Sequence, residues 1–396
     1  MTGRGGRVAQ GIGFLGGIVF GGTAMAQPDL YLKGSLSLAE VRDDNLFYTP
    51  ESRESDVISR LTPGIEAGSR APRFDIAGRW ALDVERFADH PELDTDRARE
   101  SAALDLHTRL SRPVTFSLHG DYLSTLTPGE LNLATGLAGG RARARRFSAG
   151  PSIDWKLGPT TDGTLAYTLT RDDLAGGSRT DSQSSALRLE HHPSSRNTTT
   201  ADYSFSRYAF EAGDPVAVHT LTLGWERRVG PRSSFALRAG PRYSGGRFDP
   251  EASVALQHGA GRIDTSLTVA RTLSTVIGQS GTFVTDSALA GISFRPSPSL
   301  RLGMTPGVYW IRDSSGGPET HVYVVGLEGS WRINDWLSLV GRYRRNLQRG
   351  ILSSATPGTG DTVLEIARNT FFLGLSAGRN EPRARDAGGA SAGGSR

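Results

Sequence analysis

Residues 299–345 read SLRLGMTPGVYWIRDSSGGPETHVYVVGLEGSWRINDWLSLVGRYRR. Leu300, Leu302, Met304, Val308 and Trp310 share one parity, and Arg301, Gly303, Thr305 and Gly307 the other. The pattern returns with Tyr323, Val325, Leu327 and Trp331 against Val324, Gly326, Glu328, Ser330 and Arg332. Asn334-Asp335 turns the chain, and Leu337, Leu339 and Tyr343 then oppose Ser338, Arg342 and Arg344. Period two is the signature of β-strands, because successive side chains point to opposite faces. One face of each run is apolar or aromatic and the other is mostly small or charged. Each run spans about 10 to 14 residues, against about 5 to 6 for an ordinary strand. Strands that cross a bilayer need about 9 to 11 residues, oily on one side and polar on the other.

Working outward, the same unit recurs along the chain. Residues 30–41, 57–66, 74–87, 102–110 and 114–123 alternate in this way. So do 147–157, 164–171, 184–192, 199–210, 216–228 and 234–243. Runs at 251–258, 262–275, 283–294 and 364–377 complete the set. This predicts an all-β, closed antiparallel transmembrane β-barrel of about eighteen strands, with sixteen as the alternative. Short connections rich in Gly, Pro, Arg and Ser alternate with generally longer polar ones, of which 124–145 is the longest. Short periplasmic turns and longer extracellular loops are the expected asymmetry of an outer-membrane barrel, whereas a soluble β-sandwich has no reason to sort its connections.

Composition agrees. Hydrophobic residues make up 37% of the 396, with 50 glycines and no cysteine. Only alternate residues of such a barrel meet lipid, and the lack of cysteine excludes disulfides and thiolate metal sites. Arg4 and Arg7, an apolar run at 12–20 and Ala24-Met25-Ala26 read as a signal peptide over residues 1–26. Its removal takes away two arginines and no acids, so the formal charge falls from +4 to +2. That balance, with its arginines scattered, gives no footprint for nucleic acid. The barrel is expected over 27–380, and the Gly-, Ala- and Arg-rich segment 381–396 reads as a disordered tail.

Pro63, Pro151, Pro241 and Pro306 fall inside apparent strands, each beside or one residue from glycine. Proline cannot donate to a ladder, so bulges or strand ends near the membrane boundary are expected there. Phe74, Trp155, Trp225, Phe235, Phe294, Trp331 and Trp336 cluster beside the short connections, as an interfacial aromatic belt would.

After the first strand comes Val41-Arg42-Asp43-Asp44-Asn45-Leu46-Phe47, then Thr49-Pro50, Ser55-Asp56-Val57-Ile58 and Leu61-Thr62-Pro63-Gly64. This opening, about 25 residues long, resembles that of the β-barrel porin type 2 family. The family includes outer-membrane proteins encoded with exopolysaccharide synthesis and export genes. The resemblance implies a bacterial outer-membrane location, an envelope or exopolysaccharide role and no catalytic residues. The partners to expect are outer-membrane lipid and lipopolysaccharide, a polar solute or polysaccharide, and periplasmic export components.

No H-E-x-x-H, G-x-S-x-G or phosphate-loop motif is present. The adjacent His191 and His192 would face opposite sides of a strand, and Asp43-Asp44-Asn45 lacks the ligand spacing of an EF-hand. No metal or cofactor is expected. Ser117, His119 and Asp121 share a face, the residue types of a barrel hydrolase, but polar inward residues are what a wet lumen requires. The expectation is therefore no enzyme, but a porin-like conduit, with a non-conducting scaffold barrel as the alternative. If the apolar face meets lipid, Asp75, Asp83, Glu85, Asp105 and Asp121 line one wall of the lumen. Arg228, Arg238, Arg242, Arg332, Arg342 and Arg344 line another, and a partial transverse field runs between them.

Overall fold

The computed structural model describes residues 29–317, 319–350 and 364–378. The expected signal peptide, 1–26, and the expected tail, 381–396, lie outside the described residues. Eighteen antiparallel strands form one sheet that closes on itself. They are β1 (Asp29–Asp43), β2 (Asp56–Ala71), β3 (Phe74–Phe87), β4 (Thr95–Arg109), β5 (Val114–Thr125) and β6 (Ala144–Lys156). Next come β7 (Thr161–Leu174), β8 (Thr180–Ser194), β9 (Asn197–Phe210), β10 (Val216–Gly230), β11 (Ser233–Ser244) and β12 (Arg247–Ala260). The last six are β13 (Ile263–Ser274), β14 (Phe283–Phe294), β15 (Leu300–Asp313), β16 (Glu319–Arg332), β17 (Leu337–Gly350) and β18 (Leu364–Gly378). Consecutive strands pair, and β1 pairs with β18 through Leu38↔Leu375 and Val41↔Phe372 to shut the ring. Closure is what lipid demands, since an open edge there would leave backbone groups unpaired.

The two faces sort cleanly. Leu36 and Leu38 on β1, Leu221 and Leu223 on β10, and Leu373 and Leu375 on β18 stand exposed on the outer face. Ala39, Val41 and Asp43, of the opposite parity on β1, are buried inside. Six of the seven residues of the expected aromatic belt lie on the outward parity near the short turns, and Trp336 stands exposed in the β16–β17 turn itself. The Trp225 and Phe235 rings pack edge-on at 6.0 Å. A closed barrel with an oily outer face is an outer-membrane architecture, and the chain is an outer-membrane β-barrel.

The connections sort as expected, with turns of two to five residues at one end and generally longer connections at the other, but there is one exception, and a second expectation needs correction. The β11–β12 connection is just Gly245-Gly246, with φ of 55° and 78°. Two successive positive φ values make a tight hairpin, which glycine alone adopts freely. The prolines do not mark bulges or strand ends either. β2 keeps one register across Pro63, with Leu61↔Val84 and Gly64↔Ala81 flanking a gap, while Pro63 stays opposite Leu36 on the other side. Pro151, Pro241 and Pro306 repeat this one-sided gap in β6, β11 and β15. Missing one donor costs local pairing on one side only, and a long strand held on its other side tolerates it.

Leu223 is 66% exposed at the middle of β10, and Thr222 beside it points inward opposite Asp202. Leu223→Arg should therefore destabilise the barrel by about 2–4 kcal/mol. Thr222→Arg should cost far less, and urea titration in lipid vesicles compares them.

Candidate functional site

The site is the lumen and the loops that enter it. On β3, Asp75, Asp83 and Glu85 lie on the parity opposite the exposed Phe74 and Trp80. Asp83 and Glu85 are buried, and Arg60 of β2 answers both, with Nη2 2.6 Å from Glu85 Oε1 and Nε 3.8 Å from Asp83 Oδ2. Thr62 donates to Asp83 at 2.8 Å, and Arg141 reaches Glu85 at 3.3 Å. Asp105 accepts from Arg79 at 2.8 Å and lies 2.7 Å from His119 Nδ1. His119 Nε2 lies 3.4 Å from Asp121. The acidic wall is thus largely neutralised where it stands. Arg60 is the residue that sequence reasoning passed over, although it shares the inward parity of β2 with Ile58 and Thr62. Removing one partner of such a buried pair costs about 3–5 kcal/mol, because the other charge is stranded.

The arginines are treated differently. Arg242 is 1% exposed, 3.4 Å from Glu251 and 3.9 Å from Asp249. Arg342 lies 3.5 Å from Glu328, with its guanidinium 5.3 Å from the Phe372 ring centre. Arg332 donates to the Pro298 carbonyl at 3.2 Å and so clamps a turn. Among the described residues, Arg228, Arg238 and Arg344 make no ion pair and no side-chain hydrogen bond.

Two loops fold into the barrel mouth. Loop L3, residues 126–143, leaves β5, reaches the opposite wall and returns to β6. Its Leu137 packs with Tyr309, Ile311 and Val322, the inward side chains of β15 and β16. Gly136 lies flat on the Tyr309 ring at φ 64°, and a Cβ there would stand 2.5 Å from ring carbon. Asn132 Oδ1 accepts from the Ile277 amide at 3.0 Å. The root of L3 is pinned by Arg99–Glu130 at 3.0 Å and by Arg146 donating to the Leu131 carbonyl at 3.0 Å.

The acidic opening motif runs from Asp43, the last residue of β1, into loop L1, residues 44–55; it is no solvated turn, although residues 50–55 of the loop stand exposed. Asp43 takes a bidentate contact from Arg368, and Asn45 donates to the Thr49 and Ala367 carbonyls at 2.8 and 3.0 Å. Tyr48, at φ 57°, donates to Asn346 Oδ1 at 2.8 Å. Asn346 Nδ2 in turn donates to the Gly136 carbonyl at 3.1 Å. One amide on β17 therefore ties L1 and L3 together inside the mouth.

Toward the turn end the lumen opens into a cavity of about 1250 Å³ between β8 and β17. Eight arginines line it against four carboxylates, and small or hydroxyl residues such as Thr200, Ser234, Ser266, Gly303 and Gly326 leave it room.

Ser117, His119 and Asp121 do not converge as a hydrolytic triad. The Ser117 hydroxyl lies 2.9 Å from His107 Nδ1, and His119 sits between Asp105 and Asp121. His191 bonds Thr161, while His192 lies near Asp162 and Glu190. Among the described residues no group of three or more His, Asp or Glu is placed to hold a metal.

No family model matches the chain, and no curated protein matches it. Among solved structures it is similar to OccAB4 of Acinetobacter baumannii, at 9% identity over 90% of this chain and 99% of that one, with a TM-score of 0.49. The outer-membrane protein OpdK of Pseudomonas aeruginosa is similar at 11% identity over 88% and 99%, with a TM-score of 0.49. The siderophore receptor PirA of Pseudomonas aeruginosa follows at 10% identity over 89% and 81%, with a TM-score of 0.44.

At the rim, His90 in the loop 88–94 lies 2.7 Å from Asp56 and 3.0 Å from Glu54, clasping it to L1. The hydrogen bond to Asp56 first, and that to Glu54 next, hold His90 above its ordinary value. A raised value in the folded state stabilises the clasp below about pH 6.5, and the effect is lost as pH rises through the folded value. Protection of Arg53 from trypsin, taken relative to His90→Gln, should be largest in mild acid and fade to parity with rising pH.

Proposed function

We propose that this outer-membrane barrel is a porin-like conduit for polar solutes, and that its solute is a saccharide moved in exopolysaccharide export. The observation that carries the first part is the lumen itself. An eighteen-stranded wall leaves a wide interior, its charges stay hydrated or paired, and L1 and L3 narrow its mouth instead of capping it from outside. The saccharide part is supported by the resemblance of the opening segment and by the hydroxyl-rich lining of the turn-end cavity. On this reading the eleven charged residues named from the sequence line the pathway, with the Arg-bearing side setting its selectivity. Outer-membrane lipid and lipopolysaccharide surround the girdle, and periplasmic export components meet the short turns.

A second reading is a non-conducting scaffold barrel. The apolar contact of Leu137 with Tyr309, Ile311 and Val322 favours it, because a dry cluster inside a mouth can act as a seal.

Planar-bilayer recording separates the two. The conduit predicts ohmic single-channel steps, and Arg342→Glu with Arg344→Glu should move the reversal potential toward cation selectivity. A folded protein that shows no steps supports the scaffold. Steps with unchanged selectivity in the folded double variant would remove that wall from the pathway.

A further inference from the structure

The surplus of arginine in the turn-end cavity is larger than neutralisation of the wall requires. Arg188 faces Asp202, Arg295 lies 2.8 Å from Asp264, and Arg342 faces Glu328. Among the described residues, Arg301 donates only to the Ser293 hydroxyl, at 3.2 Å. Arg228, Arg238 and Arg344 have no partner among the described residues, although all three line the same cavity. Arg228 and Arg238 come from the adjacent strands β10 and β11, and Arg344 comes from β17. The three therefore border one cavity from two walls.

The sequence makes room for this. Arg238 stands opposite Gly224 on β10, and a Cβ on Gly224 would lie 3.0 Å from Arg238 Cγ and 2.3 Å from Thr200 Oγ1. Any larger residue at 224 would push the arginine stem away. Between the arginines the lining is Thr200, Ser234, Ser266, Ser293 and Thr305, short hydroxyls that both donate and accept. Guanidinium forks suit carboxylate or phosphate oxygens bidentately. Spaced hydroxyls suit the hydroxyls of a sugar. Glu226, between Arg228 and Arg238 on this wall, lowers the surplus without removing it.

We propose that this cavity is a binding site for an acidic oligosaccharide, with Arg228, Arg238 and Arg344 holding its anionic groups. The proposal rests on the saccharide-conduit reading and gives that conduit a cargo class. Short turns of an outer-membrane barrel face the periplasm, so the site stands where outbound cargo arrives, on the opposite end from the L1–L3 mouth.

The test is calorimetric titration of the full-length folded barrel in detergent with a hexamer of galacturonic acid. Maltohexaose serves as the neutral probe, and inorganic phosphate as the small anion. The uronate should bind saturably at one site, and its affinity should fall with added salt. Maltohexaose and phosphate should each bind at least tenfold more weakly. Arg228→Gln with Arg238→Gln should weaken the uronate about tenfold. Arg207→Gln, on the lipid-facing parity of β9, should leave it unchanged. Heat-modifiable migration confirms that each variant is folded. Absence of saturable uronate binding, equal binding of maltohexaose or phosphate, or a folded double variant with wild-type affinity would each overturn the proposal. Binding is read without transport, so a barrel that binds but does not conduct retains this site and loses the conduit. One that conducts but does not bind loses only the site.

Discussion

Hydrocarbon offers no partner to a backbone N–H or C=O, and most of this molecule follows from that fact. The only way for β-strands to satisfy it is to pair on both sides, so the last strand must return to the first. The β1–β18 seam does this over nine residue pairs, from Ser35↔Gly378 to Asp43↔Thr370. Once closed, the ring forces every second side chain outward into lipid and every other one inward. The four one-sided gaps at Pro63, Pro151, Pro241 and Pro306 show how little slack is needed, since each is held on its other flank.

Closure creates a second problem, which is what to do with the inside. An eighteen-stranded wall is too wide for its own side chains to fill. Here the answer differs along the axis. At the loop end L1 and L3 enter the lumen, and their polar groups are met by strand residues, above all Asn346 and Asn369. At the turn end the interior stays open and basic. The charge asymmetry expected across the barrel is consequently weakened. Arg60, Arg79 and Arg141 neutralise the acidic wall locally, while Arg228, Arg238 and Arg344 have no carboxylate partner among the described residues. On the proposed conduit reading, the field of the lumen comes chiefly from the arginine-bearing side near the turns.

Strand number, parity and closure were legible because period two repeats with little noise, and runs such as Leu300–Trp310 leave no helical reading. Which residues face inward followed from the same parity. Turn chemistry was legible but underused: Gly245-Gly246 is a two-residue hairpin signal lying inside what read as a polar loop. The infolding of L3 was not legible. It depends on Leu137 meeting Tyr309 and on Gly136 fitting against that ring, contacts more than 170 residues apart in sequence. The Asp43-Asp44-Asn45 segment shows the same limit. Its composition suits a solvated turn. Its burial is set by Arg368, Ala367 and Asn369, which only barrel closure brings alongside.

On the conduit reading, the inward loops, tied through Asn346, set the narrowest section of a water-filled lumen. The direct measurement is single-channel conductance of a barrel carrying Gly136→Leu and Asn346→Ala, changes that drive L3 off Tyr309 and cut both of its ties to β17 and L1. The loop-limited lumen predicts a larger unit conductance than that of the unaltered barrel, at unchanged heat-modifiable migration. A folded variant with the same unit conductance would show that the loops do not set the narrowest section, and would contradict the account.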